Sequence, residues 1–423
     1  MSALWPSGLE RLYIDFDSFF ASAEQHLDPR LCGRPVGVIP VASDHTGLIA
    51  VSREAKALGL KRGMVVREAR QQCPSIVLVE ARHETYVALH KAILETVESV
   101  VPVKGVRSID EMVCALLPSE QRQAEAIALR IKDKLAETFS PALTCSIGLG
   151  PNDLLAKIAA EMNKPDGLVI FHPDDLPGPL LTLPLTEVPG IAKGNAARLA
   201  RAGVTDMAGF LRLQPKEARR IWGSVEGERL WMGLHGYAVE RPETERRMFG
   251  HGRILPAEWR HLGGAYACAR VLLAKAASRM RREGFAARSL GLWLNDRQGA
   301  EWHGEKRFPA AWDDPAFLTA LAELFRRAKR EYTSRRAHSL HIVLHDLQPM
   351  TEAGRDLFSD TPDAQLRRRM ESLSLVADRL NAQYKSRMLH FGPWAAIPGG
   401  YAGAKIAFNR IPDAEDFDNP RAG

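Results

Sequence analysis

The stretch Tyr13-Ile14-Asp15-Phe16-Asp17-Ser18-Phe19-Phe20 decides how this chain reads. Leu12, Ile14 and Phe16 fall on one side of a period-two alternation and Tyr13 and Asp15 on the other, which predicts a strand giving way to a helix at Phe19. Asp15 is then a carboxylate set into an apolar strand. A second interruption lies at Arg107-Ser108-Ile109-Asp110-Glu111, ahead of an apolar run to Leu117. Carboxylates at such points are costly to desolvate unless something positive sits between them. Two divalent cations would offset that cost, and a carboxylate cluster holding two cations suits phosphoryl or nucleotidyl transfer. Taken singly, the same residues read as strand-end caps and a hairpin turn.

Outward from this stretch, strands are expected over 35–39, 47–51, 76–80, 110–117, 143–149 and 168–171, and helices over 53–58, 66–72, 84–100, 120–137 and 152–162. Interleaved strands and helices predict a split α/β sheet of ferredoxin-like character, with a small α/β insertion between its first two parts. The sequence leaves open whether strand order brings Asp15 beside Asp110. Residues 173–183, rich in Pro, Gly and Leu, read as a linker. A helical pattern over 185–213 follows and contains Val188-Pro189-Gly190-Ile191-Ala192-Lys193-Gly194. The charged turn-like stretch 241–247 marks a second boundary. Beyond it, helices over 266–282 and 315–330 and strands over 289–294 and 339–345 predict a second α/β module. The tail holds one clear helix, 363–381.

At 423 residues the chain is too long for one core. No run approaches the ~20 apolar residues of a membrane span, and Met1 to Glu10 lacks a basic-then-apolar leader pattern. Cys32, Cys73, Cys114, Cys145 and Cys268 form no CxxC pair and read as buried thiols of a reducing compartment, so the cytoplasm is expected. The net charge is +6, yet residues 241–349 alone carry 20 Lys+Arg against 12 Asp+Glu, +8, leaving −2 elsewhere. Such an excess suits a polyanionic partner or a solvated Arg-rich face. There is no GxxxxGK[ST] loop, HExxH or Gly-x-Ser-x-Gly elbow.

Asp15-Phe16-Asp17-Ser18-Phe19-Phe20-Ala21-Ser22-Ala23-Glu24 and Ser108-Ile109-Asp110-Glu111 resemble the two signature motifs of the Y-family translesion DNA polymerases, the DinB branch most closely, over roughly residues 9–348. The resemblance implies a right-hand polymerase: a ferredoxin-like palm over 1–18 and 82–171, small fingers over 19–81, a helical thumb over 172–240, an α/β little finger over 241–349, and a tail over 350–423. It implies that Asp15, Asp110 and Glu111, with the Phe16 carbonyl, hold two Mg²⁺. Phe16, Phe19 and Phe20 would border the nucleotide, with Phe20 packed where a ribose 2′-hydroxyl would lie. Lys164, in Asn163-Lys164-Pro165-Asp166-Gly167, matches a triphosphate-contacting lysine; Lys157 reads as a solvated helix residue. The fingers depart from the family's Tyr-Glu-Ala-Arg with Arg53-Glu54-Ala55-Lys56. Arg53 and Lys56 are expected to face phosphate, but a phenol is lost and a planar guanidinium is replaced by the Lys56 ammonium, and these are not equivalent donors. Gly47, Ile49 and Gly63 are implied to line the nascent base pair.

Gly190, Lys193 and Gly194 match a helix-hairpin-helix turn that bonds DNA phosphate through backbone N–H groups. Arg246, Arg247, Arg253, Arg281, Arg282, Arg335 and Arg336 are candidate phosphate contacts in the little finger. Gly354-Arg355-Asp356-Leu357-Phe358 ends like a sliding-clamp-binding pentapeptide, but Gly354 and Arg355 stand where Gln and Leu are expected, so it reads either as a degenerate clamp motif contacting through Leu357 and Phe358 or as an ordinary turn before a helix. A monomer acting on primer-template DNA and dNTP, without proofreading, is the leading expectation. A non-catalytic DNA-binding mutasome scaffold is the alternative, disfavoured by the presence of Asp15, Asp110 and Glu111 together. A nucleotide cyclase ranks last, having no use for the hairpin turn or the basic module.

Overall fold

The computed structural model describes residues 8–239, 245–353, 362–384, 389–393 and 411. Its strands in chain order are β1 (Arg11–Phe16), β2 (Val36–Ile39), β3 (Ala50–Val51), β4 (Val77–Glu80), β5 (Val103–Val106), β6 (Glu111–Ala115), β7 (Cys145–Gly150), β8 (Leu168–Ile170), β9 (Met248–Ile254), β10 (Phe285–Asn295), β11 (Glu301–Ala311) and β12 (Ser339–Pro349). The helices are α1 (Phe19–Leu27), α2 (Arg53–Ala57), α3 (Val66–Gln72), α4 (His83–Glu98), α5 (Pro118–Gln121), α6 (Ala124–Thr138), α7 (Asp153–Met162), α8 (Lys193–Arg201), α9 (Met207–Leu211), α10 (Pro215–Trp222), α11 (Val225–Leu234), α12 (Leu262–Arg282), α13 (Asp314–Glu331) and α14 (Pro362–Gln383). Two compact units divide between residues 242 and 243.

The first unit is built on a five-stranded sheet ordered β5-β6-β1-β7-β8. β1 runs antiparallel to β6 and β7 at its centre, and its register sets Asp15 opposite Glu111 and Ser146. This answers the strand-order question: the two acidic stretches are neighbours. Leu12, Ile14 and Phe16 are buried with Met112, Cys114, Ile147 and Leu149, while Tyr13 and Val113 meet Ala156 and Ala160 of α7. A Cβ on Gly148 would lie 2.0 Å from the Ala156 carbonyl oxygen, so α7 sits this low on the sheet because β7 offers glycine there and α7 offers alanines. A smaller sheet, β3-β2-β4, carries α2 and α3 around Leu48, Leu60 and Val66. Helices α8 to α11 enclose a third core containing Leu199, Phe210 and Leu230.

The second unit is an antiparallel sheet, β11-β10-β12-β9. Leu290, Leu292, Ile342 and Leu344 face α12 and α13 in its core, whereas Trp293 and His341 lie on the sheet's other face and pack together. Helix α14 packs on α13. Among the described residues no helix is long and apolar enough to cross a membrane.

Three strands went unread. β5 is short, β9 (MFGHGRI) is glycine-rich, and β11 (EWHGEKRFPAA) is polar on its open face. The expected helix 120–137 is two helices, α5 and α6. Cys32 is exposed, correcting its reading as a buried thiol; the other four cysteines are buried.

Candidate active site

Asp15 is the next-to-last residue of β1, on the side that α7 crosses. Carboxylate oxygens of Asp15, Glu111 and Glu161 lie within 4.8 Å of one another. Glu161 comes from α7, with Lys157 one turn before it and Lys164 just beyond the helix. Lys164 Nζ bridges Asp15 at 2.6 Å and Glu161 at 3.0 Å. Lys157 pairs with Glu111, lies 5.3 Å from the Tyr13 ring centroid, and donates to the Tyr13 oxygen at 3.4 Å. The Tyr13 hydroxyl donates to Glu111 at 3.1 Å. Lys157 is therefore no solvated helix residue; its ammonium is half-buried between a carboxylate and a phenol.

Burial pushes Asp15 well above the usual carboxylate range, with Glu161 and Glu111 adding to the rise and Lys164 opposing it. Glu111 is held low: burial opposes its ionisation, but Lys157 and Tyr13 outweigh it. Burial also lowers the Lys164 ammonium, and Asp15 with Glu161 more than restores it. The site is thus short of positive charge at Asp15.

Asp110 is placed by backbone and hydroxyl bonds. Its carbonyl accepts from the Phe16 N–H at 2.9 Å, its N–H reaches Ser108 Oγ at 3.3 Å, and Ser108 Oγ donates to its carboxylate. The preceding Ile109 carbonyl bonds buried His90 at 2.8 Å. Asp110 is outside the three-carboxylate cluster, whose third member here is Glu161.

Asp17 is buried and accepts from Thr144 Oγ1 at 2.9 Å, Ser146 Oγ at 2.9 Å and the Asp166 N–H at 2.8 Å. It ties the end of β1 to the turn that presents Lys164. Lys132 holds the same turn from below, at 2.6 Å from Asp166. Sequence reading missed Glu161 and the parts played by Lys157, Asp17 and Tyr13. The usable signal was the spacing 157, 161, 164, which puts Lys157 and Glu161 on one helix face and a further cation just past the helix end.

Phe16 and Phe19 are buried, edge to face at 6.1 Å, and Phe20, half-buried, stacks on Tyr86 with ring centroids 4.7 Å apart. On α2, Arg53 is half-buried and Lys56 exposed. Gly47 and Gly63 are adjacent: a Cβ on Gly47 would lie 3.4 Å from the Gly63 carbonyl oxygen. Gly190 is exposed with φ +99°, a conformation that requires glycine, and its carbonyl accepts from Asn195 at 3.0 Å. Lys193 and Gly194 are exposed at the start of α8.

In the second unit Arg247, Arg282, Arg335 and Arg336 are exposed, Arg246 pairs with Glu283 at 3.0 Å, and Arg253 is half-buried. Arg281 is different, and its burial corrects its reading as a phosphate contact. Its side chain is 1% exposed and bonds Asp314 at 3.0 Å, Asp378 at 2.6 Å and the Trp312 carbonyl at 2.7 Å. Leu357 and Phe358 lie outside the described residues.

Residues 14–161 match the model of the impB/mucB/samB family, and residues 246–384 match that family's C-terminal domain. A DNA polymerase IV of Moorella thermoacetica is 33% identical over 392 residues, 90% of this chain and 94% of its own. The chain belongs to the Y family of DNA polymerases. A DNA polymerase IV of Halorhodospira halophila is 29% identical, covering 82% of this chain and 98% of its own. Among solved structures, a Y-family chimera of Dbh and Dpo4 matches with a TM-score of 0.67 at 24% identity, over 79% of this chain and 98% of its own. DinB from Sulfolobus solfataricus matches with a TM-score of 0.52 at 24% identity, with the same coverage. These likenesses establish the polymerase fold. Metal dependence goes with the family, and the donor set fits: Asp15, Glu111 and Glu161 offer only carboxylate oxygens, the ligands that hard divalent cations take.

Proposed function

We propose that this chain is a template-directed, low-fidelity DNA polymerase of the translesion class, joining dNTPs to a primer 3′-hydroxyl without proofreading. The observation that carries it is the register of β1 against β6, which sets Asp15 opposite Glu111 beneath Glu161 of α7. Asp15, Asp110 and Glu111, with the Phe16 carbonyl, would hold two Mg²⁺, and Glu161 stands beside them. Held there, the ions would supply a lowered pKa for the attacking hydroxyl and charge neutralisation for the departing pyrophosphate.

The chain's own groups do the rest. Lys164, already seated between Asp15 and Glu161, meets the triphosphate and balances charge as the α–β bond opens. Arg53 and Lys56 add cations from α2. Lys157 steadies Glu111, and the buried Tyr13 phenol, its pKa raised by burial and by Glu111, remains a hydrogen-bond donor to it. Phe20 excludes the 2′-hydroxyl, with Phe16 and Phe19 packed behind it. In this reading the five-stranded sheet is the palm, the β3-β2-β4 region the fingers, α8 to α11 the thumb, and the second unit the little finger.

Primer-template DNA is gripped by Gly190, Lys193 and Gly194 and by the exposed arginines Arg247, Arg282, Arg335 and Arg336, joined by Arg246 and Arg253. Capture by a sliding clamp through Leu357-Phe358, action as a monomer and a cytoplasmic location belong to the same proposal. The test is primer extension on undamaged and abasic templates with Mg²⁺, comparing wild type with Asp110→Ala. Extension by wild type and none by the variant is expected. No extension by wild type overturns the polymerase reading, and extension surviving in Asp110→Ala overturns the metal assignment.

A further inference from the structure

Glu24 is the most deeply buried carboxylate among the described residues, at 1% exposure, and nothing in the chemistry above uses it. It lies one helical turn after Phe20 on α1. Its oxygens accept from the Tyr86 hydroxyl at 2.6 Å and from Arg82 Nε at 3.0 Å, with a second bond from the other end of the same guanidinium. Burial and the bond to Glu24 both raise the Tyr86 phenol, which keeps its proton and remains the donor. Tyr86 itself is fully buried, and its ring lies almost parallel to Phe20, inclined by 17° at 4.7 Å. His83 meets both rings edge-on, 6.1 Å from Phe20 and 5.9 Å from Tyr86.

A leucine at position 24 would fill the same space without the desolvation cost of a carboxylate. What the carboxylate supplies is direction. A bond to the hydroxyl fixes where the Tyr86 ring lies in its own plane, and the stacked Phe20 ring has that plane as its floor. Steric exclusion of one hydroxyl depends on a ring held to within a fraction of an ångström, and a supporting shell left loose would lose it.

We infer that Glu24 is a positioning residue for sugar selection: through Tyr86 it holds Phe20 against the nucleotide's 2′ position. The inference rests on the reading of Phe20 as the ribose-excluding ring. The test is single-nucleotide insertion kinetics with a dNTP and its matching rNTP, in Mg²⁺, on one primer-template. The ratio of kcat/KM values is compared among wild type, Phe20→Ala, Tyr86→Phe and Glu24→Gln. Tyr86→Phe keeps the ring and its packing, so it reports on the bond even where Glu24→Gln folds poorly. Losing one buried hydrogen bond to a charged group should lower the dNTP/rNTP ratio about tenfold. A merely structural role would slow both nucleotides alike and leave the ratio unmoved. An unmoved ratio in Tyr86→Phe, while Phe20→Ala collapses it, overturns the inference and leaves the gate standing. An unmoved ratio in Phe20→Ala overturns the gate and the inference with it.

Discussion

Replacing Arg281 by methionine separates two readings of one residue by the size and place of the effect. As a phosphate contact, Arg281 would be exposed, and its loss would weaken DNA binding with little change in stability. The structure instead buries its side chain to 1% exposure between Asp314, at the start of α13, and Asp378 of α14. Burial works against the charge, yet the two carboxylates raise the guanidinium above its ordinary range. Removing one member of a buried ion pair costs about 3–5 kcal/mol. Asp314 and Asp378 remain 13% and 22% exposed, so water can partly replace the guanidinium and the lower end applies. For a domain of this size, 3 kcal/mol corresponds to a fall of roughly 10 °C in Tm.

Calorimetry of the full chain should show that fall in the second unit's transition for Arg281→Met. Arg247→Met, at an exposed site, should melt within about 0.5 kcal/mol of wild type. DNA affinity measured against salt should give the converse: a slope lower by about 1 for Arg247→Met and an unchanged slope for Arg281→Met. A variant Arg281→Met that melts like wild type and loses salt slope would refute the assignment.

Lys157→Met removes the ammonium that steadies Glu111, and steady-state primer extension should show kcat/KM for dNTP falling roughly tenfold, the equivalent of one charge-assisted hydrogen bond. Asp17→Ala leaves Thr144, Ser146 and the Asp166 N–H without their shared acceptor. Urea unfolding should show a loss of about 3 kcal/mol, and KM for dNTP should rise because the Lys164 turn is no longer tied down.

What the sequence disclosed, and what it withheld, follows from the range of each interaction. Asp15 stood out because a carboxylate in a period-two apolar strand violates a local pattern, and Phe20 only because the motif around it resembles that of the Y family. Strand order is a long-range property, so the pairing of Asp15 with Glu111 needed coordinates. Lys157 looked ordinary because its partners are 144 and 46 residues away, on β1 and β6. Arg281 failed for the same reason. Among many arginines nothing local distinguishes the one that Asp378 reaches from 97 residues downstream. β11 escaped because its inward positions include Gly304 and Lys306, too polar to register as an apolar face.

Lys164 carries the last consequence of the arrangement. While it sits 2.6 Å from Asp15 and 3.0 Å from Glu161, it is bonded to two of the three carboxylates that cluster there. The same ammonium cannot then be fully available to a triphosphate, so nucleotide binding must move it from carboxylate to phosphate. Removing it should therefore have effects of opposite sign on two ligands. In Lys164→Met, Mn²⁺ titrated into the free protein and followed by paramagnetic resonance should bind about tenfold more tightly, because one competing charge is gone. KM for dNTP should rise by a similar factor, because the phosphate has lost its partner. A lysine serving only the nucleotide would raise KM and leave Mn²⁺ affinity where it was, and that result would refute the exchange.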